Sequence, residues 1–460
     1  MLFNSTLFLA FLVCVVALFY QLKPQGRRGL LLVASYAFYW VWSVPFSLLL
    51  VGSTMIDFWA ARFISAAKRP GMRRLGLVAS LVFNLGVLGL FKYADFFSSS
   101  TYSLFGVRPW PELNLILPLG ISFYTFQTMS YTIDVYRGNL AARKSIVDLA
   151  LYVSFFPQLV AGPIVRAGCL IPQLDGKDRG IHWLGIRVGI GLIAVGMLKK
   201  VFVGDPMGII ANQVFSAPER FGGWELLLGT YAFAIQIYCD FSGYSDIAIG
   251  SAALLGISLP KNFDHPYLSC SITAFWRRWH ISLSTWLRDY LYVPLGGNRA
   301  GRLRTYINLM ITMLLGGLWH GAGWNWVVWG GLQGAMLSGE RIVRLSEHPR
   351  NRFIGALRWA LTMHLVCLSW VFFRAEDLAQ SLLILKRMLN GATGEISVGL
   401  LPALCLGALL VAQRLRVRAL WLKWCEGHPR GVGWAVIALI IVLVMTFAGT
   451  SSPEFIYFQF

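Results

Sequence analysis

Long apolar runs separated by short polar segments recur along the whole of this 460-residue chain. A bilayer-crossing helix needs about 20 predominantly apolar residues. The pattern predicts an all-α, polytopic membrane protein of about eleven to thirteen helices, re-entrant segments included. The runs lie near Leu2 to Tyr20, Leu30 to Val44, Phe46 to Ile64, Leu75 to Leu90, Ile116 to Ile133 and Leu149 to Val165. Later runs lie near Leu184 to Val203, Leu226 to Leu255 (one long helix or two), Tyr306 to Leu318, Trp324 to Leu337, Trp359 to Phe373, Leu400 to Val411 and Val432 to Phe447. The longest polar stretches, such as Ala94 to Asn114 and Arg166 to His182, are short, so residues 1–460 are expected to form a single membrane-embedded domain.

Composition excludes a soluble protein. Hydrophobic residues make up 57% of the chain and charged residues only 13%, against about 25% charged in an ordinary soluble domain. Lys and Arg number 40 against 21 Asp and Glu, a formal net charge of +19. The excess sits in short segments between apolar runs, which places those segments on the cytoplasmic side. Dispersed in this way the charge reports topology, and nucleic acid is excluded as the partner it was built for. The basic segments Lys23 to Arg28 and Lys68 to Arg74 then require two crossings between them, turning at Pro45 beside the interfacial Trp40 and Trp42. The first run has no basic residue before it and no small-residue cleavage site after it, which fits an uncleaved span. Between Arg137 and Arg187 the segments on both sides of the apolar run are basic, so that run fits a re-entrant segment. The seven cysteines include no CxxC pair and are expected to be small buried hydrophobes, with neither a metal nor a disulfide framework.

One region departs from lipid-facing helices. From Ser271 the chain reads SITAFWRRWHISLSTWLRDYLYVPLGGNRAGRLRTY and continues NLMITMLLGGLWHGAGWNWVVWGG. Between Arg277 and Arg304 six arginines (Arg277, Arg278, Arg288, Arg299, Arg302, Arg304) face one acid, Asp289, and such a segment suits an anionic partner at a membrane surface. In the second half Gly316, Gly317, Gly321 and Gly323 crowd around His320. Each glycine in a helix interior costs about 1 kcal/mol relative to Ala, so glycines at membrane depth suggest a broken helix or close approach to a cavity.

Histidine is the leading candidate for chemistry, because its ordinary pKa of about 6.5 allows it to take and return a proton near neutrality. His182, His348 and His428 lie in or beside polar segments and read as surface residues; His265 and His364 read as structural. His280 and His320 sit in the aromatic, glycine- and arginine-bearing stretch. An ionisable group at membrane depth is a functional candidate. For His320, at the end of an apolar run, desolvation favours the neutral imidazole that a general base requires. His280, three residues after Arg277, is expected to share a helix face with it. The string DFSGYSD, Asp240 to Asp246, fits a polar channel wall and equally helix caps or interhelical hydrogen bonds. A phosphate-binding GxxxxGK loop, HExxH and GxSxG are all absent, and Asn325 stands five positions after His320 where an Asp would complete a different pattern.

The strings FWRRWHISLSTWLRDYLYVPLGGNR and LLGGLWHGAGWNWVVWGGLQG resemble the membrane-bound O-acyltransferase family, in particular its bacterial branch that acetylates alginate and cellulose. LPLGISFYTFQTMSYTIDVYRG, FFPQLVAGPIVR, QIYCDFSGYSDIAIG, the opening MLFNS and the ending FIYFQF extend the resemblance over nearly the whole chain. It implies a ring of tilted helices around a funnel through a thinned bacterial inner membrane. It also implies that His320, in LWHG, is the catalytic histidine and that His280, in RRWHISLS, is the second active-site position. The implied reaction takes acetyl from cytoplasmic acetyl-CoA for O-acetylation of an exopolysaccharide. Arg277, Arg278 and Arg288 would bind the donor's phosphates, since Arg forks match phosphate geometry. The loops offer no sugar-binding domain, which favours relay through a periplasmic partner acetyltransferase. Two alternatives stand beside this reading. One is D-alanyl or other acyl transfer to a teichoic-acid-like polymer; the other is a non-catalytic transporter of polymer or acyl donor, against which the single occurrence of the irregular segment argues.

Overall fold

The computed structural model describes residue 3 and residues 5–160, 162–175, 183–345, 351–427 and 446. The expected run Val432 to Phe447, apart from Thr446, lies outside the described residues, as do His182, His348 and His428. Among the described residues the architecture is helical, with one isolated bridge, between Phe221 and Ile396, in place of any sheet. The chain divides into two compact units, one of residues 1–193 and 247–260, the other of residues 194–246 and 261–460.

The first unit begins with α1 (Thr6–Gln21), α2 (Pro24–Trp40) and α3 (Val44–Ala66). Pro24 and Pro45 occupy the first turns of α2 and α3, where a missing N–H costs nothing. The turn between these two helices exposes Trp40 and Trp42, as expected for an interfacial corner. Next come α4 (Pro70–Leu88) and α5 (Ala94–Phe105). They run together as one 36-residue apolar helix through a π-turn at Gly89–Tyr93. The stretch from Ala94, read from sequence as polar, is helical as far as Phe105; its serines bond back to the preceding turn, as Ser103 Oγ does to the Ser99 carbonyl at 3.0 Å. Two of these helices, α3 and the α4–α5 helix, are long and apolar enough to cross a membrane.

After α6 (Ile121–Arg137) the apolar run from Leu149 does not form one helix. It breaks into α7 (Ile146–Ser154), α8 (Phe156–Leu159) and α9 (Ala167–Leu174), the last of which occupies part of the polar stretch from Arg166. Backbone at such breaks must find partners within the protein. Gln127 and Gln158 each donate from Nε2 to the Tyr152 carbonyl at 2.7 Å, and the Tyr152 hydroxyl donates to the Val165 carbonyl at 2.9 Å. Ser35 Oγ on α2 accepts from the Phe156 N–H at 3.1 Å. The same unit holds a carboxylate on α3, Asp57, which is 0% exposed. Ser80 Oγ donates to it, Asn84 Nδ2 on α4 reaches both its oxygens at 3.1 and 3.0 Å, and Thr132 Oγ1 on α6 donates at 3.1 Å.

The remaining helices are α10 (Trp183–Leu198), α11 (Asp205–Ser216), the 32-residue α12 (Gly223–Leu254), α13 (Ile272–Trp276), α14 (Ile281–Leu287), α15 (Arg302–His320), α16 (Trp324–Ile342), α17 (Arg352–Arg374), α18 (Leu378–Leu389), α19 (Leu401–Arg414) and α20 (Val417–Gly427). The boundary between the units falls within α10 and α12, and the rest belong to the second unit. The run from Leu226 is thus a single helix. Of these elements α17 has the length and composition of a crossing, and α19 is a shorter apolar helix, as α1 is in the first unit. The second unit buries its charges as pairs. Lys200 Nζ lies 2.6 Å from Asp205 and 3.1 Å from Asp240, while Asp246 accepts from Lys199 at 2.7 Å and from Arg418 at 2.6 Å. The cysteines divide by helix face: Cys239, Cys367 and Cys425 are buried, but Cys14 and Cys169 point outward, so small size did not ensure burial.

Replacing Asp57 with Ala should destabilise the protein by at least about 2 kcal/mol, because it takes the acceptor from the Ser80 and Thr132 hydroxyls and leaves the Asn84 amide only the Ser80 carbonyl. Thermal unfolding of the detergent-purified chain should show it, with the exposed Val41→Ser change as a control that leaves the transition in place.

Candidate active site

The segment from Asn262 to His320 places both candidate histidines inside the second unit. His280 is 1% exposed and His320 is 6% exposed. His280 does not continue a helix from Arg277, as its spacing suggested. It sits between α13 and α14 with φ of 42°, a left-handed conformation uncommon for a residue with a Cβ. That conformation turns the chain so that Arg277 is exposed while the imidazole goes inward. Several bonds hold the turn. The Ile281 N–H donates to the Asn262 carbonyl at 2.9 Å, and the Ser282 N–H and hydroxyl donate to Asn262 Oδ1 at 3.1 and 2.9 Å. His280 Nδ1 lies 3.2 Å from the same Oδ1, and Asn262 Nδ2 lies 3.2 Å from Ser245 Oγ on α12. At the start of α13 the Glu340 carboxylate of α16 accepts from the Ile272 and Thr273 N–H groups and from the Thr273 hydroxyl.

His320 is the last residue of α15. Gly321 follows in an extended conformation, and α16 begins at Trp324 and packs back along α15. Of the glycines expected to mark a broken helix or a close approach, Gly321 and Gly323 lie in the break between α15 and α16, while Gly317 lies inside α15 and lets the two helices meet. A Cβ on Gly317 would overlap the Trp326 carbonyl, one on Gly330 would overlap the Met313 carbonyl, and one on Gly321 would overlap the Trp326 indole. Trp326 is thereby laid parallel to the His320 ring, with centroids 6.1 Å apart. Trp329 and Phe373 stand edge-on to the same imidazole at 5.3 and 5.0 Å.

Trp319 joins the two positions. Its ring centroid is 4.9 Å from that of His320 and 6.0 Å from that of His280. Phe241 of α12 stands edge-on to His280 at 4.5 Å, and Phe263 lies 6.5 Å from it. The structure therefore gathers both imidazoles at one buried indole within an aromatic wall. The arginines are placed differently. Arg277 and Arg288 are exposed and Arg278 is half-buried. Arg288 Nε lies 2.7 Å from Asp289, whose carboxylate holds the guanidinium above its already high ordinary pKa. The other histidines take lesser positions: His265 forms a left-handed turn before Pro266, and His364 Nδ1 is 3.1 Å from the Tyr231 hydroxyl.

Sequence reasoning missed Asn262, Phe263, Ser282 and the indole of Trp319 as parts of the site. The DFSGYSD string carried a usable signal. Phe241 and Ser245 are four residues apart on α12, one helix face, and both serve the His280 pocket; Asp240 and Asp246 serve the ion pairs.

Two buried imidazoles sharing one aromatic wall in a multi-helix chain suit proton transfer at a buried centre. The profile of the membrane-bound O-acyltransferase family matches residues 84–375, and the chain belongs to that family. It is similar to a protein of Pseudomonas aeruginosa described as probable alginate O-acetylase AlgI, with 42% identity over 86% of this chain and 76% of that protein. The protein of the same description from Pseudomonas putida is 38% identical over 100% of both chains. A peptidoglycan O-acetyltransferase of Helicobacter pylori is 36% identical over 85% of this chain and 81% of that protein. The protein is thus a multi-pass membrane acyltransferase.

Replacing His320 with Ala should lower acyl transfer by about 10²–10⁴-fold, the usual contribution of a positioned proton acceptor, with membrane abundance near wild type on immunoblots. Gly321→Ala should produce a comparable loss without touching a polar group, since the new methyl displaces Trp326; retained activity would show that the packing around His320 is not required.

Proposed function

We propose that this protein is an O-acetyltransferase of the bacterial inner membrane that takes acetyl from cytoplasmic acetyl-CoA and passes it outward for O-acetylation of an exopolysaccharide of the alginate or cellulose type. The observation that carries the reading is the pair of imidazoles at Trp319, in a chain about 40% identical to probable alginate O-acetylases over most of its length. In this reading the acceptor hydroxyl oxygen attacks the acetyl carbonyl carbon while His320 takes the hydroxyl proton. The carbon–sulfur bond breaks, and the thiolate leaves with that proton. His280 orients a reacting group beside it. Arg277, Arg278 and Arg288 form the phosphate platform; the exposure of Arg277 and Arg288, with Arg278 half-buried beside them, suits a large anionic donor head group.

The basic segments at Lys23 to Arg28, Lys68 to Arg74 and Arg299 to Arg304 put the donor side in the cytoplasm. Only the acetyl group then crosses, and a periplasmic partner with its own serine nucleophile completes transfer to the polymer. Vesicles carrying the purified protein, with radiolabelled acetyl-CoA on the side of those basic segments and sugar oligomer on the other, should label the sugar only when the partner is added. Efficient labelling without it would make this chain the terminal transferase. Neutralising Arg277, Arg278 and Arg288 together should raise the acetyl-CoA concentration needed for half-maximal rate by about tenfold or more, each lost charge-assisted contact being worth about 1 kcal/mol. An unchanged concentration dependence would reduce these arginines to topology signals.

A further inference from the structure

We infer that Asn262 is a positioning residue that holds His280 in the tautomer protonated on Nδ1, so that the imidazole presents the lone pair of Nε2 to the reacting groups. The argument starts from the orientation of the Asn262 amide. Its oxygen and nitrogen are alike in shape, and neighbours must tell them apart. The atom 3.1 Å from the Ser282 backbone N–H faces a group that can only donate, so it is the oxygen. The amide nitrogen then faces Ser245 Oγ at 3.2 Å, which can accept. His280 Nδ1 lies 3.2 Å from an oxygen that can only accept and 3.4 Å from the Ser282 hydroxyl, whose own proton goes to Asn262 Oδ1 at 2.9 Å, so Nδ1 carries the proton. In a neutral imidazole the other nitrogen is then an acceptor.

This reverses the direction that residue chemistry alone suggests for His280, an N–H donor that stabilises the oxyanion or orients the acyl donor. A neutral His280 in this tautomer cannot offer a hydrogen bond from Nε2 to an oxyanion; it accepts one. It therefore suits holding the acceptor hydroxyl for attack, and it becomes a donor only after taking a proton. Asn262 does this from a segment bonded on both sides: its backbone carbonyl takes the Ile281 N–H, and Asp264 N–H donates to the Arg278 carbonyl at 2.9 Å. The turn that forces His280 inward and the amide that selects its tautomer thus belong to one short stretch of chain. Nitrogen-to-ligand hydrogen bonds of this outer kind set which histidine nitrogen is available in metal sites, and the same logic applies to a catalytic imidazole.

The inference rests on the reading of His280 as an active-site group, and the experiment separates the two. Nitrogen-15 NMR of the full chain labelled at histidine, with His280 signals identified by their absence from His280→Gln, reads the tautomer without any substrate. Protonated Nδ1 in the wild type, and a switched or mixed tautomer in Asn262→Leu, are expected; a wild type protonated on Nε2 overturns the inference whatever the activity. The rate of O-acetyl accumulation on the cells' polysaccharide supplies the second readout. Asn262→Leu should lose about tenfold or more, and Asn262→Asp, which keeps the accepting oxygen, should recover most of it. Adding Asn262→Leu to His280→Ala should cost nothing further. If Asn262→Leu fails to reach the membrane, Asn262→Asp decides: activity as low as His280→Ala, at wild-type abundance, overturns the positioning role. Full activity in His280→Ala would instead sink the reading of His280 and leave the tautomer result standing.

Discussion

The contact of α15 with α16 at Gly317 and Gly330 is the constraint from which the site follows. Two helix backbones can approach this closely only where neither carries a Cβ, and both positions would overlap a facing carbonyl if they did. The approach leaves Gly321 against the Trp326 indole, which lays that ring parallel to His320 and brings Trp329 and Phe373 edge-on to it. Asn325 ties the same corner to the end of α17 through its bond to the Ala375 carbonyl at 2.9 Å. His320 is therefore held by packing on its ring and by the position of its own backbone at the helix end. Such placement fixes the ring to a fraction of an ångström, the precision at which positioned groups act.

The chain handles polar groups in its interior in two ways. Asp57 is surrounded by neutral donors, Ser80, Asn84 and Thr132, each from a helix packed on α3 or its neighbours. Lys200, Lys199 and Arg418 are instead matched with Asp205, Asp240 and Asp246. Breaking such a buried pair by removing one partner leaves an uncompensated charge, which costs far more than an exposed pair contributes. Both devices tie separate helices together where apolar contact alone gives little preference for protein over lipid. The His280 pocket adds a third case, a polar corner of Asn262, Ser282 and Ser245 inside an aromatic wall. Its bonds are spent on one imidazole rather than on helix assembly.

The distribution of arginine complements that interior. Arg277, Arg288, Arg299, Arg302 and Arg304 are exposed on the same stretch of chain that buries Trp279, His280, Trp286 and Leu287. Acyl transfer is the activity shared by the family to which this chain belongs.

Periodicity and composition were enough to settle a helical membrane protein, because about 20 apolar residues in a row have few other uses, and a rare ionisable residue among Trp and Gly was enough to single out His320 and His280. Local pattern also marked the turn at Pro45, but it gave the stretch from Leu149 to Val165 as one run and missed its interruption at Phe155. It could not distinguish a glycine that breaks a helix from one that admits another helix, since that depends on what faces it; Gly317 meets Trp326 and Gly330, residues on a helix whose packing only the tertiary structure reveals. Nor could it place His280. Helical spacing put that residue beside Arg277, but bonds to Asn262, eighteen positions earlier, turn the backbone left-handed and bury the ring. Asn262 itself lay in an unremarked loop, and its role depends on one oxygen meeting three donors at once, a coincidence of position that arises only when the chain is folded.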